Sequence, residues 1–128
     1  IGLGIMGILH IILSRYWGAS KIIGADFIPY RLNLALKEGA DHVIDVHKVS
    51  IKDKIKELTK GKGPEIVIVG PNSVEAMKIG IEIVSAGGTV VLFTPAKPEE
   101  KLQIDPNYIY FKDINIVTSY SCGPKETR

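Results

Sequence analysis

The sequence holds a single cysteine, Cys122, among 128 residues. One thiol excludes an internal disulfide framework and any cysteine-rich zinc site. It fits a reducing compartment, so a cytoplasmic setting is expected. Charge of one sign is also missing in excess: 16 Lys and Arg stand against 14 Asp and Glu, for a net charge of +2. No basic cluster interleaves with aromatics, which make up only 7%, so no nucleic-acid partner is expected. The richest lysine stretch, KDKIKELTKGK, alternates Lys with apolar and acidic residues and reads as the solvated face of an amphipathic helix. No apolar run approaches the roughly 20 residues of a membrane-spanning helix, so no membrane partner is expected. What is present is a globular balance, 45% hydrophobic and 23% charged, suited to one compact domain over residues 1–128.

Helical and strand signals alternate along the chain. Apolar residues recur at helical spacing over 5–17, and Gly18 closes that run. KIIGA (21–25) is a short apolar strand with Asp26 at its end. Pro29 suits the first turn of a helix that runs to Gly39. HVID is a strand. Ser50 with Asp53 resembles a capping box and starts the next helix. EIVIVG (65–70) is apolar throughout, as strands buried on both faces are. Asn72 with Glu75 is expected to start a helix through Val84, and TVVLF follows as another buried strand. Asp105-Pro106 opens a short helical turn, residues 113–118 form a last strand, and Gly123-Pro124 opens a further helix. This order, with short loops, predicts an α/β fold: a doubly wound parallel sheet covered by helices on both faces.

The opening IGLGIMG carries the densest signal. Gly2-x-Gly4-x-x-Gly7 is weak alone, but it opens a helix directly and a strand follows that helix. Asp26 stands nineteen residues after Gly7, near the spacing of about 20 seen in dinucleotide-binding turns. Each residue then has a physical task. Gly2 allows the tight turn, Gly4 lets the backbone approach a pyrophosphate, and Gly7 lets the helix pack close to the sheet. The helix N-terminus holds the phosphate charge. A carboxylate at Asp26 could accept from ribose hydroxyls and repel a 2′-phosphate, a preference for NAD over NADP on the order of a hundredfold. Asp26 could equally cap the helix at Pro29. Arg31 could lie over the adenosine ribose or be a surface charge.

With that turn, GADFIPYRLNLALKEGADHVID, TKGKGPEIVIVG, GGTVVLF and FKDINIVTSYS in this order, the chain resembles the cofactor-binding domain of zinc-dependent medium-chain alcohol and polyol dehydrogenases. Sorbitol and threonine dehydrogenases belong to that superfamily. The resemblance spans essentially the whole sequence and implies a Rossmann domain using a nicotinamide cofactor, which Asp26 points to as NAD. It implies that Gly2, Gly4 and Gly7 face the pyrophosphate and that Asp26 and Arg31 lie at the adenosine ribose. It implies too that Met6 supports the nicotinamide ring, and that Val69-Gly70 and Phe93-Thr94 approach it from the ends of two later strands. Thr94-Pro95 departs from the small glycine-containing pair common there, and Thr118-Ser119 stands where Gly-Ser is frequent.

The resemblance further implies a preceding catalytic domain that carries the zinc, with most of the first strand also outside this sequence. Activity of the 128-residue chain alone is therefore not expected. An alcohol or polyol is the implied substrate, and homo-oligomers are implied to form through the edge strand 113–118. Within the chain no catalytic or metal-ligating residue is expected: His10, His42, His47 and Cys122 have no partners at useful spacing. Three other readings share a glycine-rich turn. They are a zinc-free quinone or enoyl reductase, a methyltransferase and a non-enzymatic NAD-sensing module.

Overall fold

The computed structural model describes residues 1–120 and Gly123. Ten elements alternate: α1 (Ile5–Tyr16), β1 (Ile23–Asp26), α2 (Pro29–Lys37), β2 (His42–Asp45), α3 (Ile51–Leu58), β3 (Ile66–Val69), α4 (Val74–Ile83), β4 (Thr89–Leu92), α5 (Pro106–Lys112) and β5 (Asn115–Thr118). All strand pairs are parallel. β1 pairs with β2, while β3, β4 and β5 form a three-stranded sheet in that order.

The first two residues join the two sheets. The Ile1 nitrogen donates to the Ile68 carbonyl at 2.8 Å, and Gly70 N donates to the Ile1 carbonyl at 3.0 Å. Gly2 N donates to the Ala25 carbonyl at 2.8 Å. Ile1 and Gly2 thus lie between β3 and β1, and the strands progress outward from them in opposite directions. That arrangement makes a topological switch point at the carboxyl ends of β1 and β3, the place where open α/β sheets bind ligands.

The period of two along each strand sorts side chains onto two faces. Ala25 and Ile44 belong to one buried cluster, with Ile55 of α3 and Met77 and Ile81 of α4. On the opposite face the residue between, Gly24, lies under Leu3, and Val43 packs on a second cluster. That second cluster joins Ile8 and Ile11 of α1 to Leu32 and Ala35 of α2. Helices therefore cover both faces, as the sequence predicts. Val69 and Val90 are fully buried at the centre, and burial of a side chain of that kind stabilises by about 1.5–3 kcal/mol.

Several boundaries differ from the sequence reading. The strand expected over 21–25 runs over Ile23–Asp26 instead, because Ile22 N donates to the Asp41 carboxylate and Lys21 Nζ donates to the Leu58 carbonyl. The α4 cap is Ser73, not Asn72: its Oγ accepts from Ala76 N at 3.2 Å. The last strand begins at Asn115. Asp113 instead ends α5 in the left-handed region (φ 54°), a conformation that aspartate tolerates, and Ile114 is buried. β5 does lie at the sheet edge, with Val117 43% exposed. Ser50 caps α3 as expected, and the Asp105 carboxylate caps α5. The helix expected from Gly123-Pro124 lies outside the described residues.

Candidate dinucleotide site

The turn before α1 is built from close backbone contacts. Gly2 has φ +84°, a left-handed conformation that costs a residue with a side chain free energy. A Cβ at Gly2 would also stand 2.8 Å from Pro71 Cδ. A Cβ at Gly7 would stand 2.1 Å from the Gly2 carbonyl oxygen, so the helix packs on the turn itself rather than on the sheet. Gly4 is the opposite case: nothing lies within 4 Å of the position its Cβ would take. The backbone at Gly4 faces open space.

The first turn of an α-helix leaves four N–H groups without intrahelical partners. In α3, α4 and α5 a Ser or Asp side chain meets part of that need. In α1 no side chain caps the N-terminus, and its first turn holds no acidic residue; α2 shares both features but begins with Pro29, which has no N–H to satisfy. An uncapped N-terminus beside an open glycine, at a strand switch point, fits an anionic group of a ligand.

Asp26 sits at the end of β1, 5% exposed. One carboxylate oxygen accepts from Leu3 N at 2.7 Å, tying β1 to the glycine turn. The other accepts from Phe27 N at 2.7 Å and Ile28 N at 2.9 Å, tying it to the start of α2. Arg31 approaches to 3.5 Å. Burial alone would raise the Asp26 pKa. The three backbone donors and the Arg31 charge outweigh burial, and the carboxyl is held below its ordinary range. An ionised carboxylate offers about four acceptor positions. Three are occupied, so the capacity left for ribose hydroxyls is smaller than the sequence suggests. The two amides belong to the residues ahead of Pro29, and no side chain caps the first turn of α2 itself.

The other candidates gather at the same end of the sheet. Val69 ends β3, and Gly70 and Pro71 follow it beside Ile1 and Gly2. Phe93 and Thr94 follow β4, with the Thr94 hydroxyl donating to the Gly70 carbonyl. Met6 lies in the first turn of α1, 43% exposed. Two contacts here escape a sequence reading. The His10 ring meets Phe93 edge-on at 4.8 Å, which makes His10 a packing residue, and its partial burial lowers its pKa. Phe27 stacks on His47 at 5.0 Å beside Asp26. Only the position of Phe27 directly after Asp26 hinted at this, because the partners follow two different strands. Among the described residues no group of three His, Cys, Asp or Glu could hold a metal ion. Cys122 lies outside the described residues. Among those residues no helix is long and apolar enough to cross a membrane.

Residues 4–128 match the family model described as zinc-binding dehydrogenase. The chain belongs to that family. Over 126 residues it is 29% identical to an L-threonine 3-dehydrogenase of Rhizobium etli, covering 98% of this chain and 36% of the relative. An alcohol dehydrogenase zinc-binding domain protein from Burkholderia ambifaria superposes with a TM-score of 0.88 at 29% identity, over 93% of this chain and 32% of that one. A protein assigned to the zinc-binding dehydrogenases of Sinorhizobium meliloti 1021, solved with NADP, superposes equally well (TM-score 0.88) at 27% identity, over 93% of this chain and 35% of that one. The chain thus spans about a third of the length of the zinc-binding dehydrogenases it matches. The α/β architecture of a Rossmann domain, expected from the sequence, is the one that this family shares.

Proposed function

We propose that the chain is the NAD-binding part of a dehydrogenase that transfers hydride between an alcohol or polyol and the nicotinamide. The observation that carries this reading is the uncapped α1 N-terminus next to the open face of Gly4, at the strand switch point. When bound, the dinucleotide supplies the hydride acceptor. The N–H groups of the first turn of α1 hold its pyrophosphate, and Gly4 lets that group come close. Asp26 accepts from a ribose hydroxyl with its remaining lone pair, and Arg31 lies beside the same ribose. Met6, Gly70, Phe93 and Thr94 flank the nicotinamide, and the fully buried Val69 supports them from β3. The residues of this chain bind and orient. Zinc and the alcohol are held by polypeptide outside it, in a cytoplasmic enzyme.

Turnover tests this reading. The full-length protein that contains this chain should reduce NAD in the presence of secondary alcohols or polyols. Tight NAD binding with no turnover across such a panel would point to an NAD-sensing module instead. Choice of cofactor is a separate matter, since one structural relative was solved with NADP. NAD should bind more tightly, because Asp26 repels a 2′-phosphate of about −2 charge. The partly occupied carboxylate and the nearby Arg31 reduce the margin to about tenfold, near 1.4 kcal/mol. Isothermal titration with both cofactors measures it, and equal affinities would remove Asp26 from the ribose.

Among the described residues β5 lies at the edge of its sheet, a position that suits pairing with a second copy. A Val117→Lys variant of the full-length protein should then shift from dimer or larger toward monomer in light scattering. A monomeric parent would refute this pairing.

A further inference from the structure

Phe93 is a large side chain at a narrow place. It directly follows β4, and its N–H continues the parallel pairing by donating to the Val69 carbonyl at 3.0 Å. The Thr94 hydroxyl then donates to the Gly70 carbonyl. The backbone of residues 93–94 is thereby tied to the end of β3, where Gly70 meets Ile1 and Gly2. The backbone has one position, but an aromatic side chain on it has several staggered rotamers. A ring swung toward the first turn of α1 would take up the space that the proposed function gives to the nicotinamide.

Helix α1 selects one rotamer. The His10 ring meets the Phe93 ring edge-on, with centroids 4.8 Å apart and planes at 84°. In that arrangement the positive edge of one ring meets the negative face of the other. Both residues are half-buried. Met6 and His10 are four residues apart in α1 and so share one face of it. At a rise of 1.5 Å per residue, His10 lies about 6 Å farther along the axis than Met6, away from the N-terminal turn. The contact therefore draws the Phe93 ring back along α1, off the turn where Gly4 and Met6 stand. Burial lowers the His10 pKa, so a neutral imidazole faces Phe93 at neutral pH. Among the described residues the His10 ring makes no hydrogen bond, so its contact with Phe93 is one that another aromatic ring could reproduce.

We infer that His10 is a positioning residue for the dinucleotide: it parks the Phe93 ring against α1 and so keeps the space beside Met6 and Thr94 open to the nicotinamide. The inference rests on the proposed function, which places the nicotinamide at this end of the sheet. His10 itself touches neither the ligand nor the reacting atoms. It sets the fraction of molecules whose site is open, and the apparent affinity scales with that fraction.

NADH and ADP-ribose, each titrated into the full-length protein, separate the two ends of the ligand. ADP-ribose carries the adenosine and the pyrophosphate but no nicotinamide. His10→Ala should weaken NADH about tenfold, near 1.4 kcal/mol, the scale of one edge-to-face aromatic contact. ADP-ribose should bind as it does to the wild type. His10→Gln, a good helix former without a ring, should show the same selective loss and serves if the alanine variant does not fold. His10→Phe, which keeps a ring against Phe93, should retain NADH affinity. Removing the released ring should cure the defect, so His10→Ala combined with Phe93→Ala should recover most of the NADH affinity. Mere loosening of the packing predicts the opposite, because the second truncation removes more of it. Undiminished NADH affinity in both His10→Ala and His10→Gln overturns the inference. Equal losses for NADH and ADP-ribose overturn it in favour of a general packing role, and so does a double variant weaker than His10→Ala. A wild type that binds neither ligand would instead sink the proposed function, a result distinct from all of these.

Discussion

Replacing Gly7 by alanine should cost the fold about 3 kcal/mol or more, beyond the usual range for a crowded packing site. The new Cβ would stand 2.1 Å from the Gly2 carbonyl oxygen and 3.0 Å from its carbon. The turn has little room to retreat. Gly2 N is bonded to the Ala25 carbonyl, Gly2 touches Pro71, and Leu3 N is bonded to Asp26. Relief requires α1 to lift from the turn, which strips Ile8 and Ile11 from their cluster. The urea midpoint of Gly7→Ala measures this cost. A shift within about 0.5 kcal/mol, the range of an ordinary surface change, would show that the turn is looser than described.

Asp26 should prove structural before it proves anything else. An Asp26→Ala variant leaves the Leu3 N–H buried and unpaired and removes two more charge-assisted bonds. A loss of about 3–5 kcal/mol is expected, a large part of the roughly 5–15 kcal/mol that a domain has in total. The pH dependence follows from the same contacts. Because the folded pKa is held below the unfolded value of about 3.9, the stabilisation is fully present above that value. It is lost as pH falls through the folded pKa. Asp26→Asn should therefore lower stability at neutral pH and flatten the acid limb of the stability profile. An unchanged acid limb in urea titrations would mean that another carboxylate governs it.

Much of this was legible in one dimension because it is local. The glycine spacing, the apolar strands, Ser50 three residues before Asp53 and Asp105 before Pro106 all act over a single turn of chain. Where two local signals compete, sequence alone chooses poorly. Asn72 and Ser73 both suit a cap, and the backbone leaving Gly70-Pro71 decides for Ser73. Asp113 reads as strand by its neighbours, yet its tolerance of the left-handed region makes it the end of α5. Contacts between separate strands carry no sequence signal. The inward turn of the Asp26 carboxylate to Leu3 depends on how the first residues wedge between β1 and β3. The Phe27–His47 stack exists only once β1 and β2 pair. Neither changes the identity of the candidate site, but both change what its residues can still offer a ligand.

Gly4 separates fold from function most cleanly. Its φ of −63° and ψ of −172° are open to any residue, and no atom lies within 4 Å of its Cβ position. A Gly4→Val side chain would start from an open Cβ position and fill the space assigned to the pyrophosphate. The decisive measurement is an equilibrium titration of NADH into the full-length wild type and this variant, beside their urea midpoints. The expected result is stability within about 1 kcal/mol, since a poor residue at a helix N-cap costs little more, with affinity for NADH lowered at least about a hundredfold. A stable Gly4→Val protein that binds NADH as tightly as the wild type would contradict the assignment of this turn to the dinucleotide.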